Sequence, residues 1–259
     1  MKKTALVLSG GGARGMAHIG VLKVLDKLNV NVSVIAGCSV GGVIGAFYAS
    51  GKTGEEIEDF ILSNKIYKNF DFSLNTLGIK NLNKLEKLFL EFIGKDNFAD
   101  LKIPLYINAT NISSGSEVVF DRGNLMKAIR ASIAVPGIFS PAKINNQYYI
   151  DGGVLNQVPF SIIPKNIKHY VMVNVSPYKS LGKKQRINLL DVLGASIKIM
   201  QQEITTEKIK SVPKDSYVLL TPNTSPYGLL ETEKKFKEII KFGELEAKRK
   251  KSEILKLLK

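Results

Sequence analysis

Thr4-Ala5-Leu6-Val7-Leu8 runs into Gly10-Gly11-Gly12-Ala13-Arg14-Gly15, and an alternating run over residues 30–36 runs into Gly37-Cys38-Ser39-Val40-Gly41. Both apolar runs read as strands, and both glycine segments open helices. After the first, Ile19, Leu22, Leu25 and Leu28 recur at helical spacing; after the second, residues 40–50 are small, apolar nearly all round and closed by Gly51. Strand and helix in strict alternation build a parallel sheet. A helix without a polar face is expected to be buried.

Beyond this opening, 55–63 and 82–93 read as surface helices separated by a turn-rich connection over 67–80. Residues 104–108 and 117–120 read as strands around the polar turn 113–116, and 124–132 as a helix. After an irregular stretch with Pro136 and Pro141, a brief strand over 148–150 delivers Asp151-Gly152-Gly153. A strand over 170–175, a long helix over 189–210, a strand over 217–221 and a charged helical segment over 231–259 complete the reading. No repeat or linker-like stretch divides the chain, so one domain over 1–259 is expected, with its motifs between about 4 and 175.

With 259 residues, 44% of them hydrophobic, the chain can bury a full core. A lone cysteine, Cys38, excludes an internal disulfide framework, and no carboxylate cluster or histidine pair marks a metal site. Met1-Lys2-Lys3 begins like a signal peptide, but the apolar run behind it is too short and ends in glycines. No stretch approaches the ~20 apolar residues of a membrane span. The expectation is a cytoplasmic protein without a cofactor, at most peripheral to the inner face of the membrane. A net charge of +14 fits an anionic membrane surface, and equally a lysine-rich chain with solvated faces. Nucleic acid fits less well, since no zinc knuckle, aromatic RNA-binding signature or arginine-rich tract is present.

Gly37-Cys38-Ser39-Val40-Gly41 between strand and helix is a nucleophile elbow, a bend at which glycines two residues to either side of the serine remove side chains that would clash. The helix that follows directs its N-terminus at the site and favours developing negative charge. Ser39 is the candidate nucleophile; Cys38, at the variable position, reads as a small neighbour. Gly10 to Gly15 offers consecutive N–H groups able to converge on one oxyanion. Gly10, Gly12 and Gly15 also satisfy Gly-x-Gly-x-x-Gly, the pattern for a dinucleotide. That reading requires an acid at the end of the second strand, where Ala36-Gly37-Cys38-Ser39 stands instead, and Asp26 lies within the intervening helix.

A serine needs a base. His18 follows the glycine loop closely and reads more simply as an ordinary helix histidine. His169 completes the order Ser39, Asp151, His169 of a hydrolase triad, but it precedes its strand and so belongs at the wrong edge of a parallel sheet. Asp151 directly follows a strand and is flanked by glycines. From the residues alone it reads equally as a base or as a plain Asp-Gly turn.

These three motifs, in this order, resemble the patatin-like phospholipase family, as does Arg130-Ala131-Ser132 with Pro136, Phe139 and Pro141 ahead of the aspartate. The resemblance implies an α/β protein with a three-layer α/β/α patatin-like fold and a mixed, largely parallel central sheet. It implies hydrolysis of a lipid or fatty-acyl ester by a Ser39–Asp151 dyad, with Gly10, Gly11, Gly12, Ala13, Arg14 and Gly15 as the oxyanion loop. Gly37, Cys38, Val40 and Gly41 then form the elbow, and Gly152 and Gly153 complete the aspartate motif. A non-catalytic lipid-binding module on the same fold is the alternative. The resemblance leaves the C-terminal third without a signature. There Phe236, Ile239, Ile240, Leu245, Ile254, Leu257 and Leu258 interleave with lysines, which suits either a helix lying on anionic lipid or, better, one packed by its apolar stripe.

Overall fold

The computed structural model describes residues 2–66, 77–177, 189–228 and 231–258. Its eight strands are β1 (Thr4–Leu8), β2 (Val32–Cys38), β3 (Leu105–Asn111), β4 (Ser116–Phe120), β5 (Ala142–Ile144), β6 (Gln147–Asp151), β7 (His169–Val173) and β8 (Tyr217–Leu220). They form one sheet of order β5-β6-β3-β2-β1-β7-β8, with β4 paired to β3. The strands from β3 to β8 along this path are parallel, whereas β4 and β6 join β3, and β5 joins β6, antiparallel. Among the described residues the α-helices are α1 (Met16–Lys27), α2 (Val40–Ala49), α3 (Gly54–Ser63), α4 (Leu77–Ile93), α5 (Leu125–Ser132), α6 (Leu189–Lys210), α7 (Glu233–Arg249) and α8 (Lys251–Leu258).

Alternation along β1 shows why both faces of the sheet are covered. Leu6 and Leu8 enter the larger core with α1, α2, α3 and α7, while Ala5 and Val7 enter a smaller one with Val158, Phe160, Ile163 and Met172. This is a mixed sheet between two flanking layers, a three-layer α/β/α arrangement. Helix α2, apolar on every side, is buried from Gly41 to Ala49.

Two elements differ from the sequence reading. Helix α4 begins at Leu77, so 77–80 are helical where a connection was expected; residues 67–76 of that connection lie outside the described residues. Gly78, Asn81 and Asn83 are weak helix formers and mask this first part of α4 in the sequence. Strand β5 was not expected at all. It forms a hairpin with β6 across Asn145 and Asn146, whose φ values of 49° and 61° are those of a tight two-residue hairpin turn.

The C-terminal segment belongs to the core. Phe236, Ile239, Ile240, Ala247, Ile254 and Leu257 are buried, although Leu245 faces solvent. Helix α7 crosses α1 at backbone contact: a Cβ on Gly20 would overlap the Ile240 carbonyl, and one on Gly243 would overlap the Ala17 carbonyl. Lys23 ties the same crossing to α3 through Glu55, Glu58 and Glu244.

Candidate active site

The course of β3 explains how residues far apart in sequence meet. Strand β2 pairs with the first half of β3 and ends with Cys38 opposite Asn108. Asn108 and Ala109 use their other edge for Val119 and Val118 of β4, so β6 takes over the edge that β2 leaves. It arrives from the opposite direction and ends with Asp151 opposite Ala109. Two strand ends therefore abut along one edge of β3, and they bring Ser39 to Asp151.

Ser39 sits between β2 and α2 with φ 52° and ψ −126°, a backbone conformation that L residues rarely adopt. The bend is held by glycine: a Cβ on Gly41 would overlap the Leu8 carbonyl at the end of β1, and one on Gly37 would meet the first turn of α2. The Ser39 N–H donates to Ser132 Oγ at 2.8 Å, which ties the elbow to the end of α5. Only 5% of Ser39 and 7% of Asp151 is exposed, so the pair is sheltered from bulk water.

Burial pushes the Asp151 carboxyl up to about 6 from its ordinary 3.8, although the Ser39 hydroxyl, the Gly153 N–H and the Cys38 thiol donate toward it. The Gly153 N–H reaches Asp151 Oδ1 at 2.7 Å. The carboxylate thus combines proton affinity with a donor on the serine side. Cys38 is fully buried, and burial together with the Asp151 charge raises its thiol well above its ordinary value, the opposite of an activated nucleophile.

Within the glycine loop, the Gly10 N–H is taken by the Gln157 carbonyl at 3.1 Å and the Arg14 N–H by the Gly11 carbonyl at 3.3 Å. Gly11, Gly12 and Ala13 are left as the loop's candidate oxyanion donors. Arg14 uses its guanidinium structurally, donating to the Tyr227 carbonyl at 2.7 Å and to Ser176 Oγ at 2.8 Å. His18 is fully buried, its Nε2–H donates to the Ser9 carbonyl at 2.9 Å, and burial lowers its pKa to about 4. It anchors the entrance to the loop as a neutral ring. His169 opens β7 opposite Thr4, at the edge of the sheet away from Ser39. Asp26 binds the Tyr48 hydroxyl and the Gly54 N–H, a structural role in the α2–α3 connection.

Several residues around the site carry no signal in the sequence. Asn108 donates to Glu117 and to the Asn156 carbonyl, both at 2.9 Å, behind the aspartate turn. The Gln157 side chain lies between the loop and that turn, where a Cβ on either Gly10 or Gly153 would press on it. An apolar cavity opens at Ser39 and runs between Val40, Val43, Ile61, Leu85, Phe89 and Val135. Among the described residues, no group of three or more His, Cys, Asp or Glu side chains is placed to hold a metal ion, and no helix is long and apolar enough to cross a membrane.

A serine in a strained backbone conformation thus stands at a strand–helix elbow beside a buried carboxylate on a mixed α/β sheet. The chain belongs to the patatin-like phospholipase family, whose profile matches residues 6–163. An uncharacterized NTE family protein of Mycobacterium tuberculosis is 36% identical over 163 residues, 62% of this chain and 45% of that protein. Lysophospholipase NTE1 of Candida albicans is 26% identical over 272 residues, 92% of this chain and 19% of that protein. The chain thus spans less than half the length of these relatives. The crystal structure of VipD from Legionella pneumophila superposes on 96% of this chain and 66% of its own, with a TM-score of 0.53 and 12% identity. ExoU of Pseudomonas aeruginosa, solved in complex with SpcU, superposes on all of this chain and 53% of its own, with a TM-score of 0.52 and 14% identity. At such identities these two matches speak for the fold alone.

Proposed function

We propose that this protein hydrolyses the acyl ester of a lipid through a Ser39–Asp151 dyad. The observation that carries the reading is the abutment of β2 and β6 on β3, which sets a strained serine against a buried carboxylate with a pKa near 6. Asp151 accepts the Ser39 proton as the hydroxyl oxygen attacks the acyl carbonyl. Gly11, Gly12 and Ala13 face the developing oxyanion with N–H groups, aided by the N-terminus of α2. The proton held on Asp151 passes to the leaving alcohol. Water, deprotonated in turn by Asp151, then releases the acyl group from the serine.

The apolar cavity at Ser39 suits a single fatty-acyl chain, and the family membership supports lipid over a small polar ester. The unit that acts is the whole three-layer assembly, because α7 and α8 supply part of the same core as the N-terminal motifs. The deciding experiment is hydrolysis of a short-chain chromogenic ester and of a lysophospholipid by wild type, Ser39→Ala, Asp151→Asn and His169→Ala. Activity is expected to vanish in the first two variants and to persist in the third. Full activity in Asp151→Asn sinks the dyad, and no hydrolysis by wild type favours a non-catalytic lipid-binding role.

A further inference from the structure

Helix α6 passes over the aspartate turn, and it places Lys198 on the face that meets that turn. Gln201 donates Nε2–H to the Gly153 carbonyl at 2.8 Å, and Lys208 donates to the Leu155 carbonyl at 3.3 Å. Residues 198, 201, 205 and 208 share one face of the helix, and Thr205 on that face is buried. Val192, Ile199 and Met200 lie on another face and are exposed. Lys198 therefore stands on the inward stripe, one turn before the residue that touches the Asp151-Gly152-Gly153 turn.

Its surroundings are cationic. Arg14 of the glycine loop is the charge that acts on it; Arg14 itself has Glu231 nearby, while among the described residues Lys198 has no carboxylate. Burial lowers the Lys198 pKa and the Arg14 charge lowers it further. A partly buried ammonium within the field of a guanidinium is costly unless an anion joins it. Next to this pair, Ser176 accepts from Arg14 and packs against Gly11. None of Lys198, Arg14, Ser176 and Gln201 lines the apolar cavity, whereas Glu231, the acidic neighbour of Arg14, does.

We infer that Lys198 is a headgroup-binding residue that receives the phosphate of a phospholipid while the acyl chain fills the cavity at Ser39. This assignment rests on the acyl-hydrolase reading for its ligand, but not for its test. In the Ser39→Ala protein, which binds without turning over, calorimetry compares a short-chain lysophospholipid with a monoacylglycerol of the same acyl length and with inorganic phosphate. Adding Lys198→Gln is expected to weaken the lysophospholipid about tenfold or more and the monoacylglycerol less than twofold, whereas Lys198→Arg keeps most of the affinity. The Lys198 ammonium, followed by NMR, is expected to titrate at higher pH once the lysophospholipid is bound.

Equal losses for both lipids, or none for the lysophospholipid, overturn the assignment. So does a Lys198-dependent site that binds inorganic phosphate but leaves lysophospholipid affinity untouched, since that is a free-anion site. Wild-type hydrolysis is measured alongside. Lys198-dependent binding without hydrolysis removes the acyl-hydrolase reading and keeps the headgroup site, and the converse result removes only the headgroup site.

Discussion

At the elbow and at the crossing of α1 with α7, glycine lets two backbones touch where any side chain would collide. The two places have different consequences. At the crossing, Gly20 and Gly243 lie in ordinary helices, and the contact serves packing alone. At the elbow, close approach forces a non-glycine residue into φ 52° and delivers it to a buried carboxylate. Close glycine packing is thus no sign of a site by itself; the strained residue it carries and the charged group it faces are.

The comparison breaks most sharply at Ser39→Ala. Ester turnover is expected to fall about a thousandfold or more while the denaturation midpoint stays near that of wild type, because the substitution removes one oxygen and no packing. Gly243→Leu should do the reverse. The side chain meets the Ala17 carbonyl, a loss of about 3 kcal/mol or more in urea unfolding is expected, and activity per folded molecule should stay within about twofold. If Gly243→Leu instead removes activity from fully folded protein, the two regions are coupled and the distinction fails.

Asp151→Asn sharpens the contrast through pH. Because burial raises this carboxyl to about 6, the folded protein holds the proton more tightly than the unfolded chain. The resulting stability is complete below about pH 4 and is lost as pH rises through about 6. Asp151→Asn should therefore unfold at the same denaturant concentration as wild type at low pH and gain about 1–3 kcal/mol above pH 6, while losing activity throughout. For wild type, kcat/KM on an uncharged ester is expected to rise through about pH 6 and to level off above it; a flat profile between pH 5 and 8 counts against Asp151 as base. The smallest effect belongs to Ser132→Ala. It leaves the buried Ser39 N–H without its acceptor, and it should lower kcat about tenfold with KM nearly unchanged.

The parts of this protein written in short-range pattern were legible in advance. The alternation of strands and helices through α2, the elbow, the glycine loop and the aspartate turn all follow from local apolar period and glycine spacing. The position of His169 at the far edge of the sheet likewise follows from strand direction alone. What stayed hidden depends on contacts between distant segments. Ser132 stands in a segment that carries the resemblance, yet neither it nor Gln157 announces that it supports a backbone group more than ninety residues away, and a glycine within α1 looks merely tolerated until α7 is laid across it. The change of partner along the edge of β3 is likewise invisible, since neither β2 nor β6 contains the instruction for where the other stops.

The clasp of α7 on α1 joins glycines more than two hundred positions apart. Such a contact is among the least local the chain can make, and closing it carries the loop entropy of nearly everything between. During synthesis, the α1 face carrying Ala17 and Gly20 stays uncovered until α7 has been made. The helix that directly follows the glycine loop is thus among the last to be sealed, so the folding of this protein ends close to where its chemistry is proposed to begin.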